Sequence, residues 1–490
     1  MDTGFDAAYR AFLDAFPGYL ATLRLDALRA TDYDRLDRLG QVYLDYTGGG
    51  LYSASQVRRH HELLLNKVLG NPHSDNPTSM EASRLLDDTR AAVLEYFRAD
   101  PGEYGVIFTP NASGALKLIG ESYPFEPGGR YLLTYDNHNS VNGIREFARY
   151  HGASVTYLPV LTPELRVDGE EVLAELTRTI PGRHHLFAFP AQSNFSGVQH
   201  PLEWVSWAHD HGWHVILDSA AFAPTNLLDL SAVKPDFVPL SFYKMFGYPT
   251  GTGALIYRHD ALRALRRPWF AGGTITVASV QGEGWHHLAP GHAGFEDGTV
   301  DYLGLPAVTI GLEHLASIGI ATIHDRVMAL TGWLIARLAS VVHSNGAPLA
   351  RVFGPTDLAQ RGGTIAFYLL ASDGTPYDVR AIEEKASHAR ISLRTGCFCN
   401  PGDGEVAHGI TRDEMAQCFV GTSTPVSFED CAETLRASTG KAPNTMRVSL
   451  GLASNFADAY ALMAFAESFR DVPCDRVHAS PSLGSLGQTA

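Results

Sequence analysis

Positive charge is scarce in this chain. Its 490 residues include 38 lysines and arginines against 53 aspartates and glutamates, a formal net charge of −15 with histidine neutral. No basic block stands out, which argues against nucleic acid or an anionic membrane as the main partner. Cysteine is scarcer still. Five in the whole chain do not make a disulfide framework. Cys418, Cys431 and Cys474 are scattered and read as buried or incidental thiols, whereas Cys397 and Cys399 share one short loop. No apolar run is long enough to cross a bilayer. The opening Met1-Asp2-Thr3-Gly4-Phe5-Asp6 carries acid where a signal peptide needs base, so a cytoplasmic location is the default expectation. No internal repeat is present.

What is there is an ordinary globular composition, 45% hydrophobic and 19% charged, in a chain long enough for two or three domains. Residues 8–38 alternate apolar and charged positions at helical spacing, and Val42-Tyr43-Leu44-Asp45-Tyr46 reads as a strand broken by glycines. Helical pattern returns over 55–69 and 79–97. A strand–loop–helix rhythm then begins, with strands over 105–108, 130–134, 154–158, 185–189, 214–217, 237–240 and 253–257. Such alternation predicts an α/β fold with a mostly parallel central sheet covered on both faces. From about Ser317 a long helix (323–340) and a strand (364–370) introduce a smaller α+β domain. The expected organisation is therefore N-terminal helices and strand (1–65) packing with the small domain, a large domain (66–316), the small domain (317–470) and a polar, disordered tail (471–490).

In open α/β sheets, ligands bind beyond the carboxyl ends of the strands. The polar residues at those ends form a chemical set. Lys244 sits in the turn after the run ending at Leu240, and Asp218 ends the strand His214-Val215-Ile216-Leu217. A lysine amine that can take up an aldehyde, with an aspartate to keep a pyridine nitrogen protonated, suits pyridoxal phosphate. Thr109-Pro110-Asn111-Ala112-Ser113-Gly114 opens a helix after a strand and suits a phosphate. A plain helix cap explains that segment equally well when it is taken alone. His138 follows another strand and could stack on a flat ring, although a surface loop histidine is the commoner reading. Asn194 follows another and could bond a phenolic oxygen, or be a turn asparagine. The weight lies in the coincidence of all of these at strand ends. Two rival motifs fail. Gly251-Thr252-Gly253 enters a strand and has Ile256 where a dinucleotide fingerprint needs glycine, while Cys397, Cys399 and His408 supply only three metal ligands.

Several longer segments carry a family resemblance. They are Tyr43-Leu44-Asp45-Tyr46, Gly70-Asn71-Pro72-His73-Ser74, Ser241-Phe242-Tyr243-Lys244-Met245-Phe246-Gly247, Phe295-Glu296-Asp297-Gly298-Thr299, Leu393-Arg394-Thr395-Gly396-Cys397-Phe398-Cys399-Asn400 and Met446-Arg447-Val448-Ser449-Leu450-Gly451. In this order they resemble fold-type I, class V pyridoxal phosphate enzymes of the cysteine desulfurase branch, in particular the sulfurase domain of molybdenum cofactor sulfurases. The resemblance implies roles. Lys244 is the Schiff-base lysine, Asp218 the pyridinium partner, and His138 stacks on the ring and assists proton transfer. Asn194 contacts the ring oxygen, and Ala112, Ser113 and Ser241 bind the phosphate. Gly298 and Thr299 reach the phosphate of a neighbouring subunit, which implies a homodimer with shared active sites. Arg447 grips the substrate α-carboxylate with Arg394 assisting, His73 belongs to the substrate site, and Cys399 takes sulfur as a persulfide.

The expected activity is then a stand-alone cysteine desulfurase that releases alanine and passes sulfur to an acceptor the sequence does not identify. Departures from the family pattern motivate an alternative. The loop after Asn400 reads Pro401-Gly402-Asp403-Gly404-Glu405 instead of continuing Gly-Ala-Cys, residues 415–441 lack the family's usual sequence, and no molybdenum-cofactor domain follows. The alternative is a C–S lyase, or a related class V enzyme, acting on a larger cysteine-derived amino acid.

Overall fold

A computed structural model describes residues 3–419, 426–441 and 444–477. Its largest element is a seven-stranded sheet. Across the sheet the strands run Tyr104–Thr109, Gly253–Arg258, Phe237–Ser241, His214–Asp218, His185–Pro190, Arg130–Thr134 and Ser154–Leu158. Gly253–Arg258 is antiparallel to both of its neighbours and the remaining pairs are parallel. Six strands therefore point the same way and deliver their carboxyl ends to one edge. Side chains of successive strand residues leave on opposite faces. Leu186 and Ala188 accordingly join one core with Leu133, Ile216 and Leu255, while Phe187 and Phe189 join another with Leu132, Leu217 and Ile256. Apolar burial on both faces is what a parallel sheet covered by helices requires.

A second sheet is wholly antiparallel and orders Ala350–Phe353, Thr364–Leu369, Thr445–Ser449 and Arg394–Gly396. The N-terminal segment threads onto it. Val42–Tyr43 pairs in parallel with Ile391–Ser392, and Asp45 bridges to Ser449. The helix Thr3–Ala15 and its successors pack against the helices Ile320–Ser340 and Phe456–Glu467, with the Phe12 ring 4.7 Å from Phe456 and 6.4 Å from Trp333.

The structure corrects four expectations. Lys244 does not lie in a turn. It occupies the short helix Phe242–Phe246, which follows the Phe237–Ser241 strand without a break and ends at Gly247 in left-handed conformation, φ 78°. Cys418 and Cys431 are joined in a disulfide, with Cα atoms 5.2 Å apart. They meet because Ile410, Met415 and Leu435 gather the surrounding segments into a small core. A helix unforeseen in sequence, Pro306–Ile318, precedes the long one and bends against it by 69° at Gly319. Its polar face is a narrow stripe, Thr309, Glu313 and Ser317 at four-residue spacing, and the rest of it is largely buried. Among the described residues no single helix is long and apolar enough to cross a membrane. Of the disordered tail expected over 471–490, residues 471–477 are described and ordered, with a 3-10 turn at Cys474–Arg476 and Val477 buried, and the rest lies outside the described residues.

Arg29 fastens the N-terminal helices. Its guanidinium meets Asp458 at 2.5 Å and Asp37 at 2.7 Å, and the Arg29 and Asp458 side chains are 5% and 4% exposed. Removing one partner of so buried a pair strands the other charge, so Arg29→Ala is expected to cost about 3–5 kcal/mol in urea unfolding.

Candidate active site

A cavity of about 320 Å³ opens at the carboxyl edge of the large sheet, lined by residues from five strand ends. Lys244 enters it because its helix continues the Phe237–Ser241 strand directly. A Cβ on Gly247 would strike the backbone of Leu51 and Tyr52, so glycine is required there sterically as well as for its φ. Burial pushes the Lys244 amine down, against the pull of Asp218, and Arg447 and Arg394 push it down further. Asp218 is buried at the end of its strand and accepts from the Ala220 N–H at 3.0 Å.

The helix Ala112–Ser122 begins at the same edge. Asn111 caps it, its side chain accepting from Gly114 N–H at 2.9 Å. The cap and the phosphate readings thus coexist, because the cap uses Asn111 and leaves Ser113 to the cavity. The Ala112 N–H donates to Ser241 Oγ at 2.9 Å, and Ser113 Oγ meets Ser140 Oγ at 2.6 Å. Hydroxyls and a helix N-terminus gathered together suit a phosphate dianion. His138 Nδ1 accepts from Ser140 N–H at 3.1 Å, which leaves Nε2 to carry the proton. Burial, then the charge of Lys244, lowers its pKa to about 4, with Asp218 opposing.

Two arginines stand directly opposite each other across the small sheet, Arg394 in register with Arg447. Facing guanidiniums repel, and Asp45 bridges them. It accepts from Arg447 Nη2 at 2.9 Å and from Arg394 Nη2 at 2.7 Å and Nε at 3.0 Å. Arg447 is 2% exposed, donates from Nη1 to the Asn194 carbonyl at 2.9 Å, and keeps a buried Nε without a partner among the described residues. That spare donor suits an incoming carboxylate.

The cysteine loop closes the group. Phe398 and Cys399 both take positive φ, 57° and 54°. The strained pair is held from outside by three bonds. Asn139 N–H donates to the Cys399 carbonyl at 2.7 Å, the Asn194 amide to the Phe398 carbonyl at 2.8 Å, and the Asn400 amide to the Asp136 carbonyl at 2.9 Å. The Arg447 guanidinium lies 4.7 Å over the Phe398 ring. Cys399 is exposed and lies within electrostatic range of both Lys244 and Arg447. Burial pushes the Cys397 thiol up, while Cys399 is the more exposed of the two.

The structure therefore brings together Lys244, Asp218, His138, Asn194, Ala112, Ser113 and Ser241, with Arg447, Arg394 and Cys399 at their border. It spends the Asn194 amide on the cysteine loop. It places His73, Gly298 and Thr299 elsewhere in the same chain. His73 and Gly298 line a separate pocket of about 190 Å³, and Thr299 Oγ1 accepts from Asn71 at 3.3 Å. Sequence reasoning gave no role to Asp45, Asp136 or Gln192. Asp45 stood within a quoted motif, but nothing along the chain announces that it meets residues 349 and 402 positions away.

The donor set fits pyridoxal phosphate. Lys244 and Asp218 would hold the ring, and Ser113, Ser241 and the start of the Ala112–Ser122 helix its phosphate. The His138 ring is expected to stay neutral through the physiological range and to take a proton only near about 4, as a histidine NMR titration would read. Because this value lies below the ordinary 6.5, the stability tied to neutral His138 is present above pH 6.5 and is lost as pH falls toward about 4.

A family model described as aminotransferase class-V matches residues 42–462. The chain is 34% identical to the molybdenum cofactor sulfurase of Arabidopsis thaliana over 94% of its own length and 61% of the relative's. It is 33% identical to that of Homo sapiens over 93% and 53%. It therefore spans little more than half the length of these relatives. Among solved structures it shares its fold with a cysteine desulfurase from Thermococcus onnurineus (TM-score 0.71, 21% identity, 90% of this chain and 97% of that one). It shares it equally with the cystine C–S lyase C-DES (TM-score 0.64, 18% identity, 88% and 98%). The chain belongs to the class V aminotransferase family of pyridoxal phosphate enzymes.

Proposed function

We propose that this protein removes sulfur from cysteine and holds it as a persulfide on Cys399, leaving alanine. The observation that carries this reading is one exposed thiol, Cys399, within electrostatic range of Lys244 and on the loop whose Phe398 ring lies under Arg447. Pyridoxal phosphate supplies the electron sink that makes the substrate Cα–H acidic. The chain's own residues do the rest. Arg447 binds the substrate carboxylate through its spare Nε, while Asp45 keeps Arg394 turned to the same point. Lys244, its amine pushed down by burial, is placed to take the Cα proton and return it. Neutral His138, with Nε2–H directed by its bond from Ser140, can donate a hydrogen bond over the ring. The Cys399 thiolate attacks the substrate sulfur, so that a sulfur–sulfur bond forms as the carbon–sulfur bond breaks, and the carbon is reprotonated.

The name shared by the curated relatives supports sulfur transfer, and the cysteine desulfurase neighbour supports its donor. A second reading, elimination from a larger cysteine-derived amino acid, is favoured by one feature. The loop after Asn400 departs from desulfurase pattern, and a C–S lyase has the same fold. In either case the active unit is read as a homodimer. Gly298 and Thr299 stand away from their own chain's Lys244. Beside them the hairpin Ile275–Ala278/His286–Leu288 and its flanks expose Trp269 at 52%, Val280 at 104% and Trp285 at 64%. An exposed aromatic patch next to residues without a local task fits a second copy of the chain.

With cysteine as substrate, wild type is expected to form alanine and Cys399→Ala to form none. Pyruvate and ammonia, unaffected by Cys399→Ala, would establish elimination instead. In sedimentation, wild type is expected as a dimer, and the double substitution Trp285→Glu with Val280→Glu as a monomer.

A further inference from the structure

The loop bearing Cys399 runs straight into the helix Pro401–Ala407, whose third residue is a buried acid. Asp403 is 0% exposed. Its Oδ2 accepts from Ser193 Oγ at 2.6 Å, with Ser196 Oγ at 3.4 Å and the Asn400 amide at 3.5 Å. Its Oδ1 has no partner among the described residues. Across the seam stands Asp136, at the carboxyl edge of the large sheet and 1% exposed. Asp136 Oδ2 meets His200 Nε2 at 2.7 Å, and its Oδ1 also lacks a partner among the described residues. The Asn400 amide reaches both residues, the Asp136 carbonyl and Asp403 Oδ2. A fully buried carboxyl oxygen without a donor, in a carboxyl whose other oxygen meets only hydroxyls and an amide, is satisfied by a proton of its own. A carboxyl so desolvated resists ionising.

We propose that Asp403 is a positioning residue for Cys399: a proton held on the buried Asp403 carboxyl latches the cysteine loop onto the edge of the large sheet, and its loss releases the loop. The electrostatics have the required sign. Burial first, then the charge of Asp136, pushes Asp403 well above the ordinary carboxylate range. The docked state thus binds a proton that a released Asp403 would give up, and docking weakens as pH rises from that ordinary range through the raised value. The titratable groups around the pair are His200 on Asp136, then His138, Asp218 and Lys244, which line the cavity with Asp136. On the helix of Asp403 itself, Glu405 is raised by burial with Arg145 opposing, and His408 turns away to Tyr368 and Thr445. The latch stands on the loop's geometry, and only its consequence for catalysis rests on the reading of Cys399 as sulfur acceptor.

Amide hydrogen exchange over residues 397–407 of the intact, cofactor-loaded protein, corrected for intrinsic rates, tests it. Wild-type protection is expected to fall with rising pH, approaching tenfold per pH unit once the Asp403 proton titrates (about one proton linked). Asp403→Asn, which bonds but does not ionise, is expected to keep protection and flatten the profile. Asp136→Asn is expected to move the wild-type fall to lower pH, and serves if the first variant does not fold. A flat wild-type profile, or a variant profile that follows wild type, overturns the latch. Neither result bears on alanine formation, which separately decides the sulfur reading.

Discussion

Asp45 is the ion on which the site depends. Two arginines in direct register on neighbouring strands would push the small sheet apart, and one carboxylate between them turns repulsion into a three-member clamp. The clamp fixes the segment after Val42–Tyr43 against Thr445–Ser449. It holds Arg447 so that one guanidinium nitrogen reaches the Asn194 carbonyl and another is left for a ligand. The charge balance is one net positive, enough to receive a monocarboxylate without a permanent internal partner. Buried Arg447 would be costly without Asp45, and the clamp's exposed member, Arg394, is the one free to adjust.

Much of this was legible in the chain. Strands over 130–134, 154–158 and 237–241 announced themselves as short apolar runs ended by polar residues. Lys244 and Asp218 were recognisable because their chemistry is tied to strand ends, a local feature. The helix Pro306–Ile318 escaped because its polar stripe, Thr309, Glu313 and Ser317, is only one residue wide in an otherwise apolar run. The Cys418–Cys431 bond escaped because pairing depends on how two helices pack around Leu435, which spacing does not encode. Asn194 illustrates a different limit. Its position was legible, but its amide is engaged by Phe398 and Asn400, residues more than two hundred positions away.

The cysteine loop is also where this chain departs most from its family pattern, and the departures are structural. Gly402 packs so closely on the Tyr135 backbone that no Cβ fits there. Asp403 fills the seam that this approach creates, with Ser193 and Ser196 beneath it. The altered residues thus build a particular dock for the loop that presents Cys399.

Arg447 touches that loop, its guanidinium lying over the Phe398 ring, and in the proposed function it also receives the substrate carboxylate. One side chain with two clients makes them thermodynamically linked. Whatever a bound carboxylate does to the orientation of Arg447, it does to the footing of Phe398. By reciprocity a well-seated loop must alter carboxylate affinity by the same factor. Substrate capture and thiol presentation are in this sense a single equilibrium read at two ends.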